Sequence, residues 1–335
     1  MFHAYAAFES QGQFQPYSYD PGEIGAEEVE IKVESCGLCH SDLSLLDGEW
    51  GRVQFPFVPG HEVIGTIVET GDRVSHLKPG QKVGVGWYAH SCGHCHPCIS
   101  GDHNLCGDRQ GIIMGRHGGF ADRVRVKSLW AVPLPEGIDT QSAGPLFCGG
   151  ATVFTPFMAC DIKPTDRVGV VGIGGLGHMA LMFARAWGCE VTAFTSSADK
   201  GEEAMAFGAH RVVNSRDEAA IKAEKGRFDL ILSTVNVSLN WPLYMETLRA
   251  KGRLHCVGVP LEPIPAHAGQ LIDQQRAISG SPVSSPSVLA TMLEFCARHQ
   301  IRPKVEVMKM SEINAAFERL RQGKAHYRIV LENDV

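Results

Sequence analysis

The 335-residue chain has no apolar run approaching the roughly 20 residues needed to cross a bilayer. Its opening stretch, MFHAYAAFESQGQF, lacks the basic segment followed by an apolar one that marks a secretory leader. A cytoplasmic protein is expected. No cluster of lysine and arginine is present, and 31 basic against 37 acidic residues give a formal charge of −6. That balance argues against nucleic acid or an anionic membrane as partner. Internal repeats, low-complexity tracts and long polar linkers are also missing, which leaves an ordinary globular protein. Its 44% apolar and 20% charged residues fit that class, and the length allows two domains, each with its own core.

Cysteine is the residue with an unusual distribution. Four of the eleven fall in CGHCHPCISGDHNLC, at positions 92, 95, 98 and 106, and the others are scattered. A reducing compartment disfavours disulfides, and an odd total fits poorly with full pairing. Cys92, Cys95, Cys98 and Cys106 can give four thiolates to one tetrahedral zinc ion in a short loop turned by Gly93 and Pro97. Such a site has no open position, so its role is structural. His90, His94, His96 and His103 lie close enough in sequence to substitute, but four thiols are the simpler set.

The first 150 residues read as short strands, such as EVEIKVESCG and EVIGTIVETG, separated by turn signals. From about Ala151 the pattern becomes strand, glycine-rich turn, helix, strand, with further βα units following. Alternating strands and helices imply a parallel sheet covered on both faces. From about Ser285 the chain returns to a helix, SVLATMLEFCARH, and to the short strands KVEVMKM and YRIVLE. The expected organisation is therefore an α/β doubly wound domain over 150–284, inserted between 1–149 and 285–335 of a mostly β domain.

Within the α/β unit, GIGGLG follows the apolar strand 168–171 and opens a helix. Gly172 permits the tight turn, Gly174 lets backbone approach a pyrophosphate, and Gly177 allows helix and strand to pack closely. The helix start then offers free N–H groups to phosphate. This strand–turn–helix context makes the motif a dinucleotide-binding signal. An NAD site usually carries Asp or Glu at the end of the next strand; here Thr195, Ser196 and Ser197 stand there, with Lys200 beyond. Hydroxyls and an ammonium suit a 2′-phosphate, which a carboxylate would repel, so NADP(H) is the expected coenzyme. The bland alternative is a turn with capping residues.

Three further stretches, CGLCHSD (36–42), PGHE (59–62) and PLFCGG (145–150), set cysteine or histidine beside glycine. Spacing alone does not assemble them, because a lone buried cysteine is usually a small hydrophobe. Taken with the four-cysteine lobe and GVVGIGGLGH, in that order along nearly the whole chain, they make the sequence resemble the zinc-dependent medium-chain alcohol dehydrogenases. The resemblance is strongest to the cinnamyl-alcohol-dehydrogenase-like branch, including bacterial NADP-dependent aldehyde reductases. It implies a GroES-like catalytic domain interrupted by a Rossmann domain, with the active site in the cleft between them. It also implies two zinc ions per chain and interconversion of primary alcohols and aldehydes.

By the same match, Cys39, His61 and Cys148 hold the catalytic zinc. Glu62 and Asp42 stand behind them, and Glu62 sometimes joins the metal. Ser41 matches the hydroxyl of the proton relay, and His40 a contact to cofactor phosphate. Thr152, Gly175 and Leu176 join the glycines around the cofactor. A homodimer is implied by analogy. Two departures stand out. Plant-like members often carry histidine at the position of Ser44, where it extends the relay, so a serine, or cofactor ribose and water, must do that work here. The loop 107–122 looks shorter than in many relatives. Trp50 and Phe55 are aromatic candidates for the substrate wall or for core filling, and Cys36, Cys160, Cys189, Cys256 and Cys296 read as packing residues. Two rival readings are a zinc-free quinone or enone reductase of the same fold, which would not need the Cys39/His61/Cys148 set, and a non-catalytic nucleotide-binding protein.

Overall fold

The computed structural model describes residues 1–51, 53–196 and 199–335. Contacts divide the chain into two units, Met1–Ala151 with Val283–Val335, and Thr152–Pro282. The α/β segment is thus flanked on both sides by chain belonging to the other unit, the GroES-like and Rossmann arrangement that the resemblance implies.

The spine of the first unit is an 11-residue strand, Glu28–Leu38. One side pairs antiparallel with Val63–Thr70; on the other, its first half takes Arg123–Lys127 and its end takes Arg328–Glu332. Lys82–Val85, Val132–Pro133 and Val305–Lys309 complete a seven-stranded sheet. Valine and isoleucine alternate along the spine, so Val29, Ile31 and Val33 face one core with Val63, Ile67, Val124, Phe317 and Leu331. Each such side chain contributes roughly 1.5–3 kcal/mol when fully buried. Glu30 interrupts the pattern at 2% exposure, and both Arg123 (2.6 Å) and Arg125 (2.7 Å) pair with its carboxylate. A charge buried without such partners would be costly. The helix Pro286–His299 starts at Ser285, whose hydroxyl accepts from the Val288 N–H, and ends with Arg298 and His299 near the negative pole of its dipole.

The second unit holds six parallel strands, in the spatial order Arg211–Asn214, Glu190–Thr195, Arg167–Val171, Phe228–Ser233, Leu248–Cys256, Ala277–Gly280. Numbered along the chain this is 3-2-1-4-5-6, the Rossmann order, whose direction reverses beside the first strand. Residues 168, 170 and 171 are valines at 0–2% exposure, as a strand covered on both faces requires. The helix Gly177–Trp187 follows and stops at Gly188, which takes φ +105. Among the described residues, no helix is long and apolar enough to cross a membrane.

The turn between strand and helix depends on two glycines. Gly172 adopts φ +88, a left-handed conformation that strains other residues. A Cβ on Gly177 would lie 1.8 Å from the Gly172 carbonyl oxygen, whereas one on Gly174 would meet nothing within 4 Å. Gly177→Ala should therefore force backbone apart and cost about 1–3 kcal/mol, lowering the melting temperature. Gly174→Ala should melt normally and weaken coenzyme binding instead. Thermal denaturation beside coenzyme titration separates the two effects, and equal melting temperatures for both variants would refute the packing role of Gly177.

Candidate active site

The residues drawn from three separated stretches meet inside the first unit. Cys39 is the N-cap of the helix His40–Leu46, His61 and Glu62 precede the strand Val63–Thr70, and Cys148 ends the short helical turn Gly144–Phe147. Their ligand atoms all lie within 4.8 Å of one another, and all four residues are buried. The two thiol sulfurs are 3.9 Å apart, and His61 Nε2 is 3.2 Å from Cys148 Sγ. Asp42 organises this cluster: Oδ2 accepts the Cys39 N–H at 3.0 Å, while Oδ1 accepts the Gly60 N–H and faces His61 Nδ1, each at 2.9 Å. With Nδ1 engaged, Nε2 is turned toward the thiols as an electron-pair donor.

Sulfurs on a tetrahedral zinc with arms of about 2.3 Å stand about 3.8 Å apart, so the observed separation fits a shared ion. A second sign is Glu62, which is fully buried. Its Oε1 pairs with Arg328, and its Oε2 has no hydrogen-bond partner. Burial pushes the Glu62 carboxyl up to about 7 against the pull of Arg328. The hydrogen bond from Cys148, helped by Arg328, holds the Cys39 thiol well below its usual range, while the same contact holds Cys148 up. Burial alone would lower His61, yet Asp42 raises it well above the usual imidazole value. Buried donors of this kind, competing for protons and leaving one carboxylate oxygen unpaired, suit a divalent cation. The residues present fit a zinc ion.

The four-cysteine loop forms a second cluster, Cys92, Cys95, Cys98 and Cys106, again with all sulfurs within 4.8 Å. Cys92 and Cys98 sulfurs are 4.0 Å apart, Gly93 takes φ +82, and Pro97 lies in the first turn of the helix His96–Ile99. Backbone N–H groups of Cys95 and Cys92 point at the sulfurs of Cys92 and Cys106, each at 3.4 Å, which favours thiolates. The N–H groups of His94 and Cys95 hold the Cys92 thiol down to about 6. The neighbouring histidines are not in the cluster: His94 Nδ1 faces the Cys92 carbonyl, and His103 Nδ1 the Ser91 hydroxyl.

Around the first cluster, Ser41 is half-buried with Oγ 3.6 Å from Cys39 Sγ, and His40 is exposed at the helix start. Ser44 is buried and donates to Glu49. The loop 107–122 packs against the histidine segment, with N–H groups of Gly118, Gly119 and Phe120 donating to the carbonyls of Val58, Gly60 and Pro59. Trp50 stands edge-on to Trp87, and Phe55 lines a cavity of about 260 Å³ with Leu45, Leu46 and Val53. In the second unit, Gly172, Gly174, Gly175, Leu176 and Gly177 form the expected loop, and Thr234 Oγ1 braces it by donating to the Gly172 carbonyl at 2.8 Å. Thr195 ends its strand buried, Ser196 is exposed, and Lys200 is exposed in the first turn of the helix Asp199–Ala206. Ser197 lies outside the described residues. Thr152 is buried in the helix Gly149–Ala159. Cys36, Cys189 and Cys296 are buried and Cys160 and Cys256 half-buried, and none of them enters either cluster.

Two residues escaped the sequence reading. Arg328 sits at 6% exposure, paired with Glu62 and with Nη1 3.9 Å from Cys39 Sγ. The available signal was a cation at the head of the apolar strand RIVLE, which needs a buried partner. Trp87 stands edge-on to the His61 ring at 4.8 Å, and WYAH carried no sign of that.

Cys98→Ser removes one thiol from the four-cysteine cluster, which suits a metal ion whose affinity would become folding energy. It should lower the melting temperature or soluble yield, and normal stability with unchanged zinc content would count against the lobe's role. His61→Ala or Cys148→Ala should abolish turnover while leaving coenzyme affinity near its original value, because neither residue belongs to the glycine loop. Steady-state kinetics beside coenzyme titration reads both.

Residues 25–136 match the alcohol dehydrogenase GroES-like domain family, and residues 175–298 match the zinc-binding dehydrogenase family. Over 333 residues the chain is 53% identical to an aldehyde reductase of Synechocystis sp., covering 99% of each. It is 36% identical to a cinnamyl alcohol dehydrogenase of Sorghum bicolor, with a TM-score of 0.93 over 99% of this chain and 97% of that one. The CAD of Helicobacter pylori, solved in complex with NADP(H), is 27% identical with a TM-score of 0.91, covering 99% and 97%. With the two cysteine-rich clusters and the Rossmann sheet, these likenesses lead to one assignment: the chain belongs to the zinc-dependent medium-chain alcohol dehydrogenases, in their cinnamyl-alcohol-dehydrogenase-like branch, and interconverts alcohols and aldehydes.

Proposed function

We propose that the enzyme acts on primary alcohols and their aldehydes with NADP(H), holding one zinc ion on Cys39, His61 and Cys148 and a second on the four-cysteine lobe. The observation that carries this reading is the convergence of two thiols, one imidazole and an unpaired Glu62 oxygen around a single buried point, with the Ser41 hydroxyl beside it. When bound, zinc supplies Lewis acidity toward the substrate oxygen, and the nicotinamide carries the hydride. The protein's own part is positioning and proton handling. Asp42 fixes the Cys39 backbone and the His61 ring, and the Glu62–Arg328 pair supports the cluster from behind. Ser41 passes the substrate's hydroxyl proton onward, since a hydroxyl can accept one proton while donating another. The glycine loop takes the cofactor phosphates on its backbone N–H groups, with Thr152 contributing to the cofactor site.

Coenzyme choice follows from the strand end at Thr195. No carboxylate stands at 195 or 196, and Lys200 brings an exposed ammonium to the first turn of the helix Asp199–Ala206. Both features suit a 2′-phosphate. The thiol-rich centres suit a reducing cytoplasm. The edge strand Ala277–Gly280 offers unpaired backbone for pairing with a second copy, in keeping with a homodimer.

The decisive experiment is NADPH oxidation across a panel of small and aromatic aldehydes, with zinc content measured on the same preparation. Turnover with about two zinc ions per chain is expected; turnover without zinc would support a metal-free reductase instead. A preference for NADPH over NADH of about a hundredfold in kcat/KM is expected, equivalent to about 2.7 kcal/mol. Thr195→Asp should shift it toward NADH but places a charge in a buried position. Ser196→Asp, at the exposed neighbour, tests the same repulsion more cleanly. Equal use of both coenzymes by the unmodified enzyme would show that these residues only shape a turn.

A further inference from the structure

We propose that Arg216, in the turn after the strand Arg211–Asn214, gives the 2′-phosphate of NADP(H) a second cation alongside Lys200. The assignment rests on the NADP(H) reading above and adds a specificity-determining residue from a different strand. Strands Glu190–Thr195 and Arg211–Asn214 run parallel at one edge of the six-stranded sheet, and Thr195 is the register partner of Asn214. Their ends therefore lie side by side, about 4.8 Å apart. Beyond the sheet the two chains stay tied, since the Ser215 N–H donates to the Thr195 carbonyl at 3.1 Å. Ser196 and Ser215 thus leave their strands as neighbours, with Arg216 one residue further on. Ligands of open parallel sheets bind outside the carboxyl ends of the strands, which is the end this turn occupies.

The turn has a fixed shape. Asn214 holds it twice: its Oδ1 accepts the Arg216 N–H at 3.0 Å, and its carbonyl accepts the Asp217 N–H at 3.1 Å. Ser215 is half-buried and Arg216 is exposed. The acids that follow in the chain are committed elsewhere. Asp217 Oδ1 caps the helix Glu218–Lys222 by accepting the Ala219 and Ala220 N–H groups at 2.9 and 3.1 Å. Glu218 takes Lys222 on one oxygen at 3.7 Å and the Asn240 amide on the other at 3.0 Å. Lys200 approaches the same strand from the helix Asp199–Ala206, where a Cβ on the adjacent Gly201 would stand 3.7 Å from Val212 Cγ1. Among the described residues, neither Lys200 nor Arg216 has an ion-pair partner. Two unanswered cations at adjoining strand ends, with the Ser196 hydroxyl between them in the chain order of the site, suit a phosphate dianion. The planar guanidinium adds a pair of parallel N–H donors that an ammonium lacks.

Titration calorimetry of the full chain with adenosine 2′,5′-bisphosphate and with 5′-AMP reads this contact apart from catalysis. Arg216→Ala and Arg216→Gln should each weaken bisphosphate binding about fivefold or more, with 5′-AMP binding and melting temperature unchanged. Arg216→Lys, which keeps the charge and loses the fork, should fall between them and the unmodified enzyme. Raising the ionic strength from about 0.05 to about 0.5 M should shrink the bisphosphate advantage, and less steeply in Arg216→Ala. Unchanged bisphosphate affinity in both neutral variants would overturn the proposal and leave the NADP(H) reading standing. Equal loss for the two nucleotides would put the guanidinium on the adenosine and overturn it as well. An unmodified enzyme that binds both nucleotides equally would sink the NADP(H) reading, and Arg216 with it.

Discussion

The Asp42 carboxylate is the constraint on which the active site depends. It is fully buried, and its two oxygens tie together two pieces of chain: the start of the helix carrying Ser41 and Ser44, and the Gly60–His61 segment, held through the Gly60 backbone and the His61 ring. Its position at the third residue of that helix makes it half of a capping box whose other half is Cys39. One residue thus caps the helix, orients a ligand that begins it, and sets which imidazole nitrogen faces the thiols. The arrangement is economical in charge as well. Asp42, Glu62 and two thiols crowd one buried point, and among the described residues Arg328 and the His61 ring answer them. The resulting competition for protons, which pushes Cys39 down and Cys148 up, is what a dication resolves.

Close packing around that point leaves little freedom. Gly37 lies opposite Glu62, and a Cβ there would come within 2.0 Å of Glu62 Oε2, so the spine strand passes the carboxylate only because position 37 has no side chain. Gly60 takes φ +99 and brings its backbone against Phe120 and Cys36. The glycines of CGLCHSD and PGHE therefore serve the geometry of the cluster. The 107–122 loop joins the same construction, since its three hydrogen bonds to residues 58–60 brace the segment that delivers His61.

What the sequence made legible follows how far apart the interacting residues lie. The four-cysteine lobe was readable directly, because all four thiols fall within fifteen residues at a spacing that suits a single metal ion. The glycine loop was readable because strand, turn and helix are contiguous, and the 3-2-1-4-5-6 sheet then carried the doubly wound expectation through. Cys39 and Cys148 are 109 residues apart, so composition and periodicity say nothing about their meeting, and only family resemblance brought them together. Arg328 is 266 residues from Glu62, and its pairing becomes visible only when the last strand joins the spine. Trp87 was missed for the same reason: its neighbour His61 is fixed by the fold, and nothing local marks the contact.

Ser44 illustrates the intermediate case. From sequence it is a gap, a hydroxyl where the resemblance to plant-like members implies a histidine. The structure adds that the turn after the helix folds Glu49 back over the buried serine. The helix ends at Leu46, Gly48 takes φ +78 in the turn that follows, and the chain reverses so that residue 49 bonds residue 44 through both backbone and side chain. The Asp47–Arg321 pair, at 2.9 Å, closes the same turn from the helix Ile313–Arg321, so residues 274 positions apart fix where the Glu49 carboxylate stands. That contact was hidden in the sequence for the same reason as the pairing of Arg328: its two halves meet only once the fold is complete.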